Sequence, residues 1–216
     1  MRLIIGNKNY SSWSLRAWIA MAKTGLPFEE TLLQLDTKEF YQQIGKVNPA
    51  LKVPTLVDGS FVVWDSLAIC EYLNDYYFDG RAWPQDRSQR TLARCIANEM
   101  HSGFPHVRNA MPMNIRAKRK ITIDEHIQKE IDRIVQIWTD CMKKQSSPGW
   151  LFGQWSIADA MFLPVVFRFI TYGIPVSDEA KAYMDFVIQD KDVQRWIKDA
   201  LAESEIIELD EAGEEV

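Results

Sequence analysis

Ser11 and Ser12 stand side by side in the stretch NYSSWSLRAW, between a hydrophobic start, RLIIG, and a run whose apolar residues recur at helical spacing. A hydroxyl where a strand hands over to a helix has two uses. It can cap the helix or close a local turn by accepting a hydrogen bond from a first-turn amide. It can also donate to an anion beside the free amides and positive dipole end of the helix start. A thiolate is an anion that needs such help. A thiol with a pKa of about 8.5 is only a few per cent ionised at neutral pH, and lowering that pKa by about 2 units requires about 2.7 kcal/mol. A helix terminus and one hydroxyl hydrogen bond together supply energy of that order.

Two more stretches carry chemistry. In KVPTL, Pro54 enters a short strand directly after Val53. A proline there belongs at a sheet edge or in a cis peptide, and in the second case the N–H and C=O of Val53 face outward, ready to pair with a peptide-shaped ligand. In DSLAICEYL, Asp65 and Ser66 open a helix. They serve either as a simple cap or as a grip on a zwitterion, with the carboxylate holding an ammonium and the helix start a carboxylate.

The elements that must position these residues follow from periodicity. RLII reads as a buried strand; Leu15, Trp18, Ile19 and Ala22 mark one helix face, with Gly25 as its stop. FEETLLQL reads as a second strand, and DTKEFYQQIGKVN as a variable middle. VPTLVDGSFVVW reads as an antiparallel pair turning at Asp58-Gly59, and Leu67, Cys70 and Leu73 share a helix face. This β-α-β, then β-β-α, order predicts an α+β, thioredoxin-like domain with a mixed four-stranded sheet over residues 1–79. FDGRAWPQDRSQR suggests a linker over 80–88. Ile127, Ile131, Ile134 and Trp138 then announce helical patterns and an all-α domain over 89–205.

Composition narrows the class. The last stretch, ESEIIELDEAGEEV, holds seven acids and no base; without them 23 of the 30 Asp+Glu remain against 25 Lys+Arg. The body of the chain is therefore near neutral and lacks the basic footprint of a nucleic-acid binder. Residues 206–216 are expected to be a solvated acidic tail. No window carries the ~18 uninterrupted apolar residues of a membrane span, and the chain is read as cytoplasmic. Cys70, Cys95 and Cys141 form no C-x-x-C pair, and His101 and His106 lack ligand spacing, so no metal or disulfide framework is expected.

Taken together, SSWSLR, NPALKVPTL and DSLAICEYL resemble the glutathione-binding half of the cytosolic glutathione transferases. SIADAMFLPV, with Ser156 and Asp159 at capping-box spacing, resembles the core helix of their helical half, so the resemblance runs over essentially the whole chain. It implies glutathione as cosubstrate and a serine that activates its thiol. Counting from the strand selects Ser11, the first choice, and counting back from Arg16 selects Ser12. The resemblance further implies that Val53 and Pro54 pair with the peptide backbone, Asp65 and Ser66 hold the γ-glutamyl end, and Lys52 and Lys38 serve the glycine carboxylate. A second-substrate wall is expected from Trp13, His101, Phe104, Arg108, Met111, Met113 and Arg168. The double serine is most similar to the zeta, maleylacetoacetate isomerase-like class, with Trp13 in place of that class's cysteine and Thr171 at the position of its substrate-binding arginine.

Three functions follow as alternatives: conjugation of glutathione to a hydrophobic electrophile, glutathione-dependent cis-trans isomerisation, and a non-catalytic interaction module of the same fold. The resemblance also implies a homodimer.

Overall fold

The computed structural model describes residues 1–216. Its first half follows the order β1 (Arg2–Ile5), α1 (Ser12–Lys23), β2 (Glu29–Leu32), α2 (Lys38–Ile44), β3 (Thr55–Asp58), β4 (Phe61–Val63) and α3 (Ser66–Tyr76). The strands form one mixed sheet in the order β2-β1-β3-β4. β1 runs parallel to β2, with Arg2 beside Glu29, and antiparallel to β3, with Leu3 opposite Leu56. Leu3 and Ile5 point into the main core, while Ile4, on the opposite face, packs with Leu33, Phe40 and Ile44. That alternation is the period of a strand covered on both sides.

The β3–β4 hairpin closes one residue later than expected. Asp58 pairs with Phe61, so the two-residue turn is Gly59-Ser60 rather than Asp58-Gly59. Gly59 takes φ +57° at the first turn position, where a residue without Cβ is least strained.

The second half is built from α4 (Arg87–Ser102), α5 (Pro105–Ala110), α6 (Glu125–Met142), α7 (Ile157–Thr171), α8 (Asp178–Ile188) and α9 (Lys191–Ala202). No helix is long and apolar enough to cross a membrane. α7 runs through the middle of the core, buried along almost its whole length, and packs on both α1 and α4. Its start carries the capping box read from the sequence. The Ser156 backbone N–H and hydroxyl each donate to Asp159 at 2.9 Å, and the Leu151 N–H donates to the same carboxylate at 3.0 Å. One apolar cluster joins the two halves, with Leu15, Trp18 and Ile69 on one side and Phe162, Phe169 and Trp138 on the other. Cys70 and Cys141 belong to that cluster, whereas Cys95 lies exposed on α4.

The acidic end differs from expectation. It folds back over the molecule instead of trailing into solvent, through a 3-10 turn at Glu208–Asp210 and a short strand, β6 (Glu214–Glu215), antiparallel to β5 (Arg119–Lys120). Its carboxylates are held by specific donors. Glu203 accepts the Lys8 and Asn9 amides at 2.6 and 2.9 Å, and Glu211 accepts from Asn114 at 2.9 Å, from Tyr10 and from Arg119. A run of acids reads as a solvated tail only while the cations and amides that receive it, some 90 to 200 residues away, remain out of view.

Candidate active site

The site is a cleft of about 850 Å³ between the first half and α5, α7 and the returning C-terminal segment. Its floor is the β1–α1 turn. The Gly6 N–H donates to Ser14 Oγ at 3.0 Å, and the Tyr10 and Ser11 amides fold back onto the Asn7 carbonyl. This local network sets α1 running with its N-terminus at the cleft.

The two serines differ in what they have left to offer. Ser11 is the N-cap; it accepts from the Ser14 amide at 3.4 Å and donates its proton to Ser14 Oγ at 2.7 Å. Ser12, one residue on, accepts from the Arg168 guanidinium at 3.2 Å and donates to nothing within the chain. A hydroxyl with its lone pair occupied by a cation and its proton free is polarised to donate outward. The Trp13 amide, in the same first turn, also has no acceptor. The hydroxyl of Tyr10, at the same rim, is already committed, donating to Glu211 and accepting from Arg116 at 2.9 Å.

A second group faces these hydroxyls. The Val53–Pro54 bond is cis, and the Val53 N–H and C=O make no hydrogen bond within the chain. Lys52 beside them carries an exposed ammonium with no ion pair. Asp65 caps α3, one oxygen accepting from Leu67 and Ala68 at 2.9 and 3.3 Å, and its other oxygen lies 3.2 Å from His101 Nε2. The Ser66 hydroxyl is buried without a partner. A buried hydroxyl with no partner in the chain, at a helix start beside a cleft, is available to donate to a bound carboxylate.

The opposite wall is aromatic and cationic. Two guanidinium groups lie against the exposed Trp13 ring, Arg16 at 4.5 Å and Arg108 at 5.0 Å from its centre. Arg168 donates to the carbonyls of Arg108 and Met111 as well as to Ser12, and burial lowers its pKa to about 10, still well above neutral. Arg108 is lowered by burial too. Arg168 makes no bond to Asp159, the carboxylate at the other end of the same helix.

Ser11, Ser12, Trp13, Lys52, Val53, Pro54, Asp65, Ser66, Arg108 and Arg168 all line this one cleft. Four expected residues do not. Lys38 starts α2 on the exposed surface outside the cleft. Phe104 and Met111 are core residues rather than wall. The break between α4 and α5 at Gly103 turns the chain so that this segment packs on α6, and of the two methionines in this stretch, Met111 and Met113, Met113 lines the cleft. His101 sits behind the wall, its ring edge-on to Trp13 at 5.5 Å, and reaches the site only through Asp65. Burial lowers its pKa below the ordinary 6.5, so it is neutral at neutral pH and leaves the Asp65 charge available. Tyr41, Trp64 and Asp210 line the cleft without having been picked from the sequence. For Trp64, which immediately precedes Asp65, position alone was a usable signal. Cys70 is no competing nucleophile, since it is buried and its pKa is pushed up to about 12.

The cleft thus offers a peptide-pairing edge, a grip for a zwitterion and a donor for an anion in line. Comparison with known proteins agrees with that geometry. Residues 10–75 match the family model described as glutathione S-transferase, N-terminal domain, and residues 96–199 the one described as glutathione S-transferase, C-terminal domain. A probable maleylacetoacetate isomerase of Caenorhabditis elegans is 29% identical over 170 residues, covering 77% of this chain and 78% of the relative. Glutathione S-transferase Z1 of Arabidopsis thaliana is 27% identical, covering 83% and 86%. The crystal structure of a glutathione transferase homologue from Burkholderia, with bound glutathione, superposes with a TM-score of 0.73 at 25% identity over 94% of this chain and 98% of that one.

Proposed function

Because the chain belongs to the glutathione S-transferase family, we propose that the cleft binds glutathione and ionises its thiol through Ser12 for attack on an electrophile beside Trp13. The observation that carries this reading is the Ser12 hydroxyl, polarised by Arg168 and free to donate, in one cleft with the unpaired backbone of Val53. Val53 pairs with the cysteinyl backbone and Lys52 neutralises the glycine carboxylate. Asp65 takes the γ-glutamyl ammonium, while Ser66 and the α3 amides take its carboxylate. Ser11, its proton spent on Ser14, holds the start of α1 in place and is the positioning residue of the pair.

The reaction begins when the thiol proton leaves to solvent and the thiolate, held by Ser12 and the start of α1, attacks an electrophilic carbon. Trp13, Met113 and Pro112 form the apolar part of the wall that receives the electrophile. Conjugation ends with the loss of a leaving group as an anion, such as chloride from a chloronitrobenzene, or, in an addition, with uptake of a solvent proton by the carbanion. Isomerisation of a singly charged cis-enone acid continues with bond rotation and expulsion of the same thiolate, and Arg108 with Arg168 favours it as the second reading, since the one carboxylate has a cationic place to rest. Absorbance assays of a chloronitrobenzene and of a cis-enone acid, each with glutathione, separate the two. Turnover of neither overturns both.

Acid should weaken glutathione binding in a particular way. The His101 pKa lies below its ordinary value, so the ring is neutral at neutral pH and gains its proton as pH falls. The imidazolium then competes with the γ-glutamyl ammonium for Asp65. Calorimetry taken downward from neutral pH should show affinity falling once the pH passes below the ordinary imidazole range, and a flatter profile for His101→Gln. The same slope in both would remove His101 from the account.

A homodimer belongs to the same reading. Phe61 and Tyr76 are 55% and 62% exposed beside the stacked Tyr72, an aromatic face on β4 and α3 that a second subunit would cover. Sedimentation equilibrium should give twice the 25.0 kDa chain mass; a monomer at micromolar concentration would contradict it.

A further inference from the structure

We propose that Asp210, carried into the cleft by the C-terminal segment, is a specificity-determining residue that sets the charge of the electrophile the enzyme accepts. The inference rests on the glutathione reading above and concerns the other half of the same cleft.

Asp210 ends the 3-10 turn of the returning segment and lines the cleft together with Ser12, Arg108 and Arg168. Its placement is imposed from both sides. Upstream, the Glu203 carboxylate is held by the Lys8 and Asn9 amides, and Arg116 donates to the backbone carbonyls of Glu203 and, at 2.6 Å, Glu205. Downstream, Glu211 is held by Tyr10, Asn114 and Arg119, and β6 is paired with β5. Every one of these anchors uses a neighbour of Asp210. The Asp210 carboxylate itself is half-buried and has no hydrogen-bond partner, so no structural duty explains it.

Charge counting gives it a role. Glutathione, bound as proposed, uses Lys52 and Asp65 for its own ends and brings its thiolate to Ser12. Two cleft-lining cations then remain for the electrophile, Arg108 and Arg168, with Arg16 buried against Trp13. Against them stand the thiolate, Asp210 and the exposed Asp36 of the same lining. With Asp210 present the electrophile half carries little net positive charge and takes an uncharged or singly anionic partner. Without it the arginines would draw in doubly anionic ones, including dicarboxylates. Burial raises the Asp210 carboxyl to about 6, which leaves it mostly ionised at neutral pH.

Two product-like ligands test this without needing turnover. S-(2,4-dinitrophenyl)glutathione carries an uncharged group in the electrophile half, and S-(1,2-dicarboxyethyl)glutathione a doubly charged one. Calorimetry should show that Asp210→Asn binds the dicarboxyethyl conjugate about tenfold more tightly than wild type, the scale expected for removing one charge a few ångströms away in a partly screened cleft. Affinity for the dinitrophenyl conjugate should change by less than about twofold. Glu208→Gln makes the same change in net charge on an exposed neighbour and should leave both affinities unaltered. Asp210→Ala is the second variant, expected to give the same discrimination. Equal effects on both conjugates, or none, in both Asp210 variants would overturn the proposal. S-methylglutathione separates the failures: if wild type binds it normally, only the role of Asp210 falls, and if wild type does not, the glutathione reading falls with it.

Discussion

Ser12→Ala should lower kcat/KM about 30-fold at neutral pH, the equivalent of about 2 kcal/mol for a hydrogen bond to a charged acceptor. The loss has a signature in pH. If Ser12 acts by stabilising the thiolate, its removal raises the bound thiol pKa, so the deficit is largest where wild type is ionised and the variant is not. Above about pH 9 the thiol ionises unaided, and the two enzymes should converge to within a few-fold. Ser11→Ala should behave differently. It loses the cap of α1, costing about 1 kcal/mol of stability, and changes the thiol pKa less than Ser12→Ala does. Initial rates across the pH range check both, with thermal unfolding of the Ser11 variant beside them. A pH-independent deficit in Ser12→Ala would assign that residue to packing instead of thiol activation.

The other large effect concerns stability. Asp159→Ala removes one buried carboxylate that satisfies three donors, the Leu151 amide and the Ser156 amide and hydroxyl. Stranding these groups in the core should cost about 3 to 5 kcal/mol, a fall of about 10 °C in Tm for a chain of this size. The consequence for function is indirect. α7 carries both Asp159 near its start and Arg168 near its end, so a frayed α7 start loosens the element that delivers the guanidinium to Ser12. Urea unfolding of the variant gives the number directly. A loss below about 1 kcal/mol would mean that water replaces the carboxylate, and that the capping box is not what fixes α7.

Much of this was legible in the chain because local chemistry and local pattern coincided. The start of α1 could be read from a strand pattern, two hydroxyls and an apolar helical face in sequence order. Asp65 and Ser156 marked the starts of α3 and α7 through capping chemistry, which depends on residues within a single turn. Pro54 pointed to the exposed Val53 backbone for an equally local reason. What could not be read depends on distance or on a break in pattern. His101, Phe104 and Met111 seemed to lie on one continuous wall, but the chain breaks at Gly103, and Phe104, in the left-handed region at φ +60°, turns into the core. Between Ser11 and Ser12 the two counts favour Ser11, whereas the free hydroxyl proton in the structure belongs to Ser12. The difference lies in the partner that Arg168 gives to Ser12 across 156 positions, which no spacing rule contains. Asp210 was hidden more completely, as one acid among seven in a stretch whose composition suggests a solvated end.

A thiol bound in the cleft should be more acidic than a free one. Following the ultraviolet absorbance of the thiolate while glutathione is titrated with pH on the wild-type protein tests it most directly. The bound-thiol pKa should lie about 2 units below the free value and move back toward about 8.5 in Ser12→Ala. Saturable binding with the thiol still ionising near its free value would contradict it.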